Sequence, residues 1–275
     1  MRTQAEKAAA FRALHERQGA FIIPNPWDAG TAKILAALGF EALATTSLGL
    51  ANTLGRADSH VTRDEVIANA RAIVQATDLP VNVDLENGFA HAPEAAAEAV
   101  RLAAEAGAVG ASIEDATGDP KNPIYDFDLA VARVRAAVQV ARSLPVPLLL
   151  TARAENFLYG RSDMADTIRR LQAFEAAGAD VLYAPGVRTL AEVREVCAAV
   201  TRPFNVVTGW LERDITAAQL AEAGAKRISV GGALNRLALA SFVGAARAMQ
   251  EQGSFAWMRD MAAVGDLQRM FGAAD

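Results

Sequence analysis

Three acidic side chains stand where short apolar runs end, at positions that could together hold a cation. Asp84 and Glu86 follow the run at residues 81–83, and Glu114 follows the run at residues 111–113. Side chains two positions apart on a strand point to the same side, so we expect all three carboxylates to share one small volume if the two strands are adjacent. Such a cluster repels itself unless protons or a cation relieve it, and oxygen-only ligands suit Mg²⁺, with Mn²⁺ as the alternative. The three acids therefore predict a divalent metal site, although a single acid at a strand end would be read as a solvated loop residue.

A repeated unit of helix, glycine and apolar run positions these acids. A glycine just past a helix end allows the left-handed turn that closes the helix, and this pattern occurs at Gly39, Gly107, Gly178 and Gly224. The eight strand candidates are residues 21–23, 42–46, 81–83, 110–113, 148–151, 181–184, 204–207 and 227–230. Eight such units predict an α/β fold, a single (β/α)8 TIM barrel over residues 1–275. An open doubly wound sheet is the alternative, but no Gly-x-Gly-x-x-Gly turn follows the first strand.

Two segments lie outside the eight units. Residues 3–18 are predicted to form an extra N-terminal helix, and residues 254–273 carry two further helical pieces with Met and aromatic positions. This C-terminal arm, residues 254–275, covers either its own barrel or that of a neighbouring copy. The second arrangement predicts an oligomer.

Charge and cysteine content exclude several classes of function. A net charge of −5 leaves no basic excess for nonspecific nucleic-acid binding. The single cysteine, Cys197, excludes a disulfide framework and is typical of a reducing compartment. Residues 1–20 lack the pattern of a secretory leader, and no apolar run is long enough to span a bilayer. We expect a cytoplasmic protein whose partner is a small molecule, with neither nucleic acid nor membrane involved.

In a (β/α)8 barrel the active site lies at the C-terminal ends of the strands. Besides the three acids, those ends supply Trp27 after the first strand, Ser47, Leu48 and Gly49 after the second, Arg153 on the fifth and Asn205 on the seventh. Arg153 is expected to face a substrate, to pair with Glu155 or Asp84, or to do both.

This arrangement resembles the isocitrate lyase and phosphoenolpyruvate mutase superfamily over residues 20–240. The motifs that carry the resemblance are Asn25-Pro26-Trp27-Asp28, Thr46-Ser47-Leu48-Gly49, Asp58, Val83-Asp84-Leu85-Glu86-Asn87-Gly88, Ile113-Glu114-Asp115 and Thr151-Ala152-Arg153. The resemblance implies a Mg²⁺ site at Asp84, Glu86 and Glu114, with some contacts through water. Members of the superfamily often have Asp at the position of Glu86, so the longer side chain changes whether it reaches the ion directly.

The resemblance also implies roles for the neighbouring residues. Ser47 and the backbone around Leu48 and Gly49 would hold a substrate carboxylate, Asp58 would lie beside the metal, and Arg153 would face the substrate oxygens. It further implies a helix-swapped homodimer or homotetramer, which fits the apolar C-terminal arm.

The loop after the fourth strand departs from the lyase branches of that superfamily, which carry a catalytic cysteine there. Residues 116–125 contain no cysteine, and Cys197 falls inside a helical stretch, where a buried structural thiol is expected. Lys121 and Asn122 predict a polar gate similar to that of the phosphonate branches, or an ordinary exposed loop.

These observations favour a Mg²⁺-dependent lyase or hydrolase that cleaves a C–C bond in a 2-oxo acid such as an oxaloacetate-like dicarboxylate. The ion and Arg153 would stabilise the enolate that forms when the bond to C3 breaks. One alternative is phosphonomutase or phosphonopyruvate hydrolase chemistry, with Asp58, Lys121 and Asn122 handling phosphorus. Others are a catalytically silent 2-oxo acid binder and a metal-independent barrel that binds a sugar phosphate at Gly231-Gly232.

Overall fold

Eight parallel strands form the centre of the molecule in the computed structural model, which describes residues 2–272. They are β1 (Phe21–Ile23), β2 (Leu43–Ala44), β3 (Val81–Asp84), β4 (Gly110–Glu114), β5 (Leu149–Arg153), β6 (Val181–Tyr183), β7 (Phe204–Val207) and β8 (Arg227–Ser229). The hydrogen-bonded order is β1-β8-β7-β6-β5-β4-β3-β2, and the Ala44 amide donates to the Pro24 carbonyl at 3.1 Å across the remaining gap. The predicted barrel is confirmed, and it is nearly closed.

Eleven α-helices of the described part surround the strands or extend from them. They are α1 (Gln4–Glu16), α2 (Ala29–Ala37), α3 (Ser47–Thr53), α4 (Arg63–Ala76), α5 (Pro93–Glu105), α6 (Phe127–Ser143), α7 (Met164–Ala176), α8 (Leu190–Ala199), α9 (Ala217–Glu222), α10 (Ala233–Gln252) and α11 (Val264–Met270). Two 3₁₀ turns add Thr208–Trp210 and Ala256–Asp260. At the predicted junctions, Gly107 and Gly178 have φ values of +93° and +103°, the left-handed conformation that glycine adopts without strain.

The N-terminal helix α1 closes one end of the barrel. Phe11 is fully buried and packs in a cluster with Phe21 and Ile23 of β1. The approach is so close that a Cβ atom on Gly110 would lie 2.6 Å from the Phe11 ring. The barrel is therefore accessible only from the opposite end, where the strands finish.

The C-terminal helices lie largely outside the core. Asn235 is the one buried residue of α10, whereas Leu237 and Phe242 on the same helix are 65% and 71% exposed. Further along, α11 packs against α2 of the same barrel, and the Lys33 ammonium donates to the Phe271 carbonyl at 3.3 Å. The helical pieces of the arm are confirmed; residues 273–275 lie outside the described part, and exchange of helices between copies stays a prediction.

Membrane insertion was not expected from the sequence. Between residues 2 and 272, no helix combines the length and the hydropathy that a membrane span requires.

Candidate active site

A cavity of about 260 Å³ opens at the C-terminal end of the barrel. Six of the residues singled out from the sequence line it: Ser47, Leu48, Asp58, Asp84, Arg153 and Asn205. Sites for drug-sized ligands commonly measure roughly 300–1,000 Å³. The cavity therefore suits a small organic acid better than a nucleotide.

A continuous row of polar side chains crosses the sheet beneath this cavity. In register, Glu114 of β4 is opposite Arg153, Arg153 is opposite Tyr183, Tyr183 is opposite Asn205, and Asn205 is opposite Arg227. The stagger of strands in a barrel brings the first residue of β8 into line with the last residue of β4. As a result, residues from opposite ends of different strands take part in one site.

The guanidinium of Arg153 is the centre of the charge cluster. Its Nη1 lies 2.9 Å from Asp84 Oδ1, its Nη2 lies 3.0 Å from Glu114 Oε2, and its Nε lies 2.8 Å from Glu155 Oε1. The guanidinium carbon also lies 5.1 Å from the centre of the Tyr183 ring. Arg153 therefore makes the ion pairs that the sequence offered as one interpretation, and it also lines the cavity.

Buried carboxylates outnumber the cations near them. Burial raises the pKa of Glu114 well above its usual range, and Arg153 only partly offsets this effect. Burial also raises the pKa of Glu155, while burial followed by the charges of Asp84 and Asp58 raises the pKa of Glu86 to about 8. The pKa of Asp58 is raised as well, because partial desolvation of its carboxylate beside the cavity and then the charge of Asp84 disfavour its ionised form. An additional cation at this end of the barrel would therefore stabilise the ionised carboxylates.

The turn after β2 directs backbone donors toward Asp84. The Ser47 amide donates to Asp84 Oδ2 at 3.3 Å, and the Asp84 amide donates to Thr45 Oγ1 at 2.9 Å. The Gly49 amide, by contrast, donates to Thr46 Oγ1 at 3.3 Å, which caps α3. Ser47 and Leu48 line the cavity together with Thr45 and Thr46 of the same turn, whereas Gly49 does not.

The donor set at this site fits a hard divalent ion. Glu86 Oε1 is buried and has no hydrogen-bond partner in the described chain. Within residues 2–272, no group of three or more Asp, Glu, His or Cys side chains is arranged so that it could hold a metal ion. Mg²⁺ does not require one, because it usually keeps several waters and takes one or two carboxylates. One or two of the predicted ligands Asp84, Glu86 and Glu114 would hold the ion directly, and the others would contact it through water.

A buried arginine on α6 fixes the turn that carries Glu86. Arg133 donates from Nη1 to the carbonyls of Ala90 and His91 at 2.6 and 2.5 Å, and from Nη2 to the Asn87 carbonyl. The backbone needs such support because Glu86 has a φ of +48°, a conformation that side-chain-bearing residues rarely adopt.

A second buried pair anchors the loops after β4 and β5. Asp115 accepts the Glu155 amide at 2.8 Å and the Arg170 guanidinium at 3.0 Å. Arg170 also donates to the Tyr125 carbonyl at 3.0 Å. Burial raises the pKa of Asp115 to about 7, and the Arg170 pair partly offsets that rise. The backbone beside Arg153 is thereby tied to the base of the 116–125 loop.

The 116–125 loop folds as a small hairpin away from the cavity. A bridge joins Ala116 to Ile124, and the Thr117 amide donates to the Pro123 carbonyl at 2.9 Å. Lys121 and Asn122 are exposed at its tip and do not line the cavity.

Five other predicted residues do not line the cavity: Glu86, Glu114, Trp27, Gly49 and Cys197. Trp27 and Gly49 pack against each other beside it, since a Cβ atom on Gly49 would lie 2.7 Å from that of Trp27. Cys197 is half-buried on α8, and burial raises the pKa of its thiol to about 11, as expected for a structural cysteine.

Sequence reasoning missed several residues of the cavity. Those not singled out include Asn82, Ser112, Tyr183, Arg227 and Arg236. The sequence did contain a signal for these residues. Polar residues stand two positions apart within a strand, as do Arg227 and Ser229 of β8. Barrel interiors are usually filled by branched apolar side chains, so a polar alternation there indicates a functional interior.

Comparison with known proteins agrees with this geometry. The family model for phosphoenolpyruvate phosphomutase matches residues 11–250. A crystal structure from Burkholderia cenocepacia J2315, assigned provisionally as a lyase/mutase, is 54% identical, covers 99% of this chain and 98% of its own, and superposes with a TM-score of 0.95.

Two relatives of assigned activity are more distant. The oxaloacetate decarboxylase of Bradyrhizobium diazoefficiens is 30% identical over 75% of this chain and 72% of its own length. The 2-methylisocitrate lyase of Escherichia coli K12 is 31% identical over 71% and 67%. The chain is therefore an enzyme that belongs to the phosphoenolpyruvate phosphomutase family, within the isocitrate lyase and PEP mutase superfamily of lyases and mutases.

Proposed function

We propose that the protein is a Mg²⁺-dependent lyase or hydrolase that cleaves a C–C bond in a small 2-oxo dicarboxylate of the oxaloacetate type. The observation that carries the proposal is the cluster of carboxylates at the open end of the barrel, where Asp84, Glu114 and Glu155 all contact the one guanidinium of Arg153 and Glu86 lies nearby. Three carboxylates around one guanidinium leave a local excess of negative charge beside the cavity, which supports binding of a divalent cation. The arginines that line the cavity support binding of an anionic substrate.

The chain's own residues then have distinct tasks. The Leu48 amide and the side chain of Ser47 would hold the substrate carboxylate next to the 2-oxo group, since the Ser47 amide already donates to Asp84. Arg153, fixed in place by three carboxylates, would stabilise the negative charge that develops on the 2-oxo oxygen as the bond to C3 breaks. When bound by Asp84, Glu86 and Glu114, Mg²⁺ supplies Lewis-acid stabilisation of that same oxygen.

Two relatives lend this chemistry support, since one is an oxaloacetate decarboxylase and the other a 2-methylisocitrate lyase. Phosphonate chemistry is the competing assignment within the family. It has less support here, because Lys121 and Asn122 lie exposed outside the cavity.

The test is a steady-state screen with Mg²⁺, using oxaloacetate and phosphonopyruvate as substrates. Formation of pyruvate or oxalate from oxaloacetate would support the proposal, whereas release of phosphate from phosphonopyruvate would replace it with C–P cleavage. Turnover that a chelator leaves unchanged would reject the metal requirement. Asp84→Ala should abolish turnover, and the exposed Asp64→Ala on α4 serves as the matched control.

We also propose that the protein forms a homodimer or homotetramer through α10. The support is the exposed apolar surface of that helix, in particular Leu237 and Phe242. Light scattering should give a mass of at least twice 29.0 kDa, and Phe242→Glu should lower it. A wild-type monomer at micromolar concentration would remove this proposal without affecting the catalytic one.

A further inference from the structure

The wall of the cavity that faces the turn after β2 carries a single phenol. In the barrel, β6 lies four strands from β2 in either direction and therefore faces it across the cavity. Among the described residues of β5, β6 and β7 that line the cavity, Tyr183 is the one with a hydroxyl group. The loop of residues 116–125 folds away and lines no part of the cavity. A proton donor on this side would therefore have to be Tyr183.

The hydroxyl of Tyr183 is not used by the fold. Within residues 2–272 the Tyr183 Oη atom forms no hydrogen bond, and it is not among the fully buried atoms that lack a partner, so it is accessible from the cavity that the residue lines. The neighbouring Asn205 differs, because its Oδ1 accepts from Arg227 Nε at 2.7 Å and its Nδ2 donates to Ser229 Oγ at 3.1 Å. The phenol, unlike this amide, is available to a ligand.

Two guanidinium groups influence the phenol. Arg153 Cζ lies 5.1 Å from the centre of the Tyr183 ring, and Arg227 is held on Asn205, which is opposite Tyr183 in register. Burial raises the pKa of Tyr183 well above its usual range, and the two arginines only partly offset this effect. The hydroxyl therefore keeps its proton at neutral pH and gives it up only to a strong base. A phenolate formed by that transfer would be stabilised by the two cations.

The proposed reaction generates a strong base at a defined place. When the bond to C3 of the 2-oxo acid breaks, C3 becomes the basic carbon of an enolate whose oxygen would lie at Arg153. With the carboxylate held at Ser47 and Leu48, beside β2, the chain from C1 to C3 would extend across the cavity toward β6. C3 would then face the wall that contains Tyr183.

We propose that Tyr183 is the catalytic acid that protonates C3 of the enolate. This inference rests on the proposed function, because it takes the substrate carboxylate to lie at Ser47 and Leu48. In this step the electron pair of the C2–C3 double bond forms the new C3–H bond, and the carbonyl at C2 forms again. The O–H bond of Tyr183 breaks, its electron pair stays on Oη, and the phenolate then takes a proton from water.

The experiment follows the reverse step, in which the C3 hydrogens of pyruvate exchange with D₂O in the presence of Mg²⁺, by proton NMR. Wild-type protein should catalyse the exchange, and Tyr183→Phe, which removes only the hydroxyl, should slow it by about 10²- to 10⁴-fold, the usual contribution of a general acid or base. Tyr159→Phe is the matched control, because Tyr159 is exposed and does not line the cavity. Calorimetric binding of oxalate should be the same in all three proteins, since the ring beside Arg153 is retained.

Two results would overturn the inference: exchange that continues at the wild-type rate in Tyr183→Phe, or a loss of exchange matched by an equal loss of oxalate binding, which would make Tyr183 a packing residue. The same measurements separate this role from the proposed function. If oxaloacetate is turned over but Tyr183→Phe exchanges normally, the proposed function stands and the role of Tyr183 falls. If oxaloacetate is not turned over but exchange depends on Tyr183, the proposed function fails and the acid is still identified. A wild-type protein without either activity would reject both.

Discussion

At the closed end of the barrel, Phe11 and Leu14 of α1 pack with Phe21 of β1, and the only ionisable ring among them, His15, is buried. At the open end, Asp84, Glu114 and Glu155 surround Arg153 beside a cavity. The residues of the closed end form a packed apolar cluster. The open end, in contrast, brings together charged side chains that the fold does not require. We therefore expect substitutions at the closed end to change stability and those at the open end to change binding and turnover.

Phe11→Ala should give the largest effect on stability. Removing a fully buried aromatic ring leaves a cavity between α1 and the strands, and such substitutions cost about 3–5 kcal/mol of unfolding free energy. The KM of the remaining folded enzyme should not change. Denaturant unfolding and steady-state kinetics measure the two quantities, with the exposed Leu38→Ala as control. A large change in KM would show that the two ends are not independent.

Arg153→Met, at the open end, should lower turnover, in contrast to Phe11→Ala at the closed end. Loss of the guanidinium should lower kcat/KM by about 10²- to 10³-fold, the range found when a donor to a developing oxyanion is removed. Because Arg153 lowers the pKa values of Glu114 and Glu155, these groups should bind protons more tightly in the variant. The folded variant then gains protons relative to the unfolded chain, so its destabilisation should be greater at pH 8 than at pH 5.

Kinetics and unfolding at these two pH values test that expectation. The control is Arg17→Met, which removes an exposed pair with Glu41 and should cost at most about 1 kcal/mol. If Arg153→Met kept wild-type turnover, Arg153 would be a structural ion-pair partner only.

The difference between the two ends also explains what the sequence could and could not predict. Hydrophobic runs and glycine junctions predicted all eight strands, because both patterns are local. Asp84 and Glu114, at the ends of β3 and β4, were predicted from the same local patterns. Glu86 lies beyond the end of β3 in a turn with a φ of +48°, so strand alternation does not place it. Local patterns carry no information on contacts across the barrel, so the three ion pairs of Arg153 were only partly anticipated.

Arg227 and Lys121 show why the rest of the site could not be predicted from the sequence. Arg227 opens β8, at the end remote from the expected site, and only the stagger of the barrel aligns it with Asn205. Lys121 follows the fourth strand as a gate residue would, but the Ala116–Ile124 bridge turns its loop outward. Both outcomes depend on strand stagger and loop pairing, which no single segment encodes.

The closed end should also show a pH dependence due to His15. Burial, and then the charge of Arg227, lowers the pKa of His15 from the usual 6.5 to about 3. Between these values the unfolded chain binds a proton that the folded protein does not, so stability is complete above pH 6.5 and is lost as the pH falls. The loss should reach about 2 kcal/mol by about pH 5. His15→Leu should reduce this dependence in unfolding experiments, whereas the exposed His60→Leu should not. Equal slopes in wild type and His15→Leu would contradict the assignment.

Arg133→Lys tests how the turn that carries Glu86 is held in place at the open end. A lysine cannot donate to the carbonyls of Asn87, Ala90 and His91 together, so the turn that carries Glu86 should lose its fixed conformation. The apparent affinity for Mg²⁺ should fall by about 10- to 100-fold, as for other residues that orient metal ligands, while kcat at saturating Mg²⁺ changes little. Arg135→Lys, two positions away on α6 and exposed, should leave the affinity unchanged. Because thermal stability without the metal reports on the fold alone, a loss of stability with unchanged Mg²⁺ affinity would place Arg133 with the packing residues of the closed end rather than with the site.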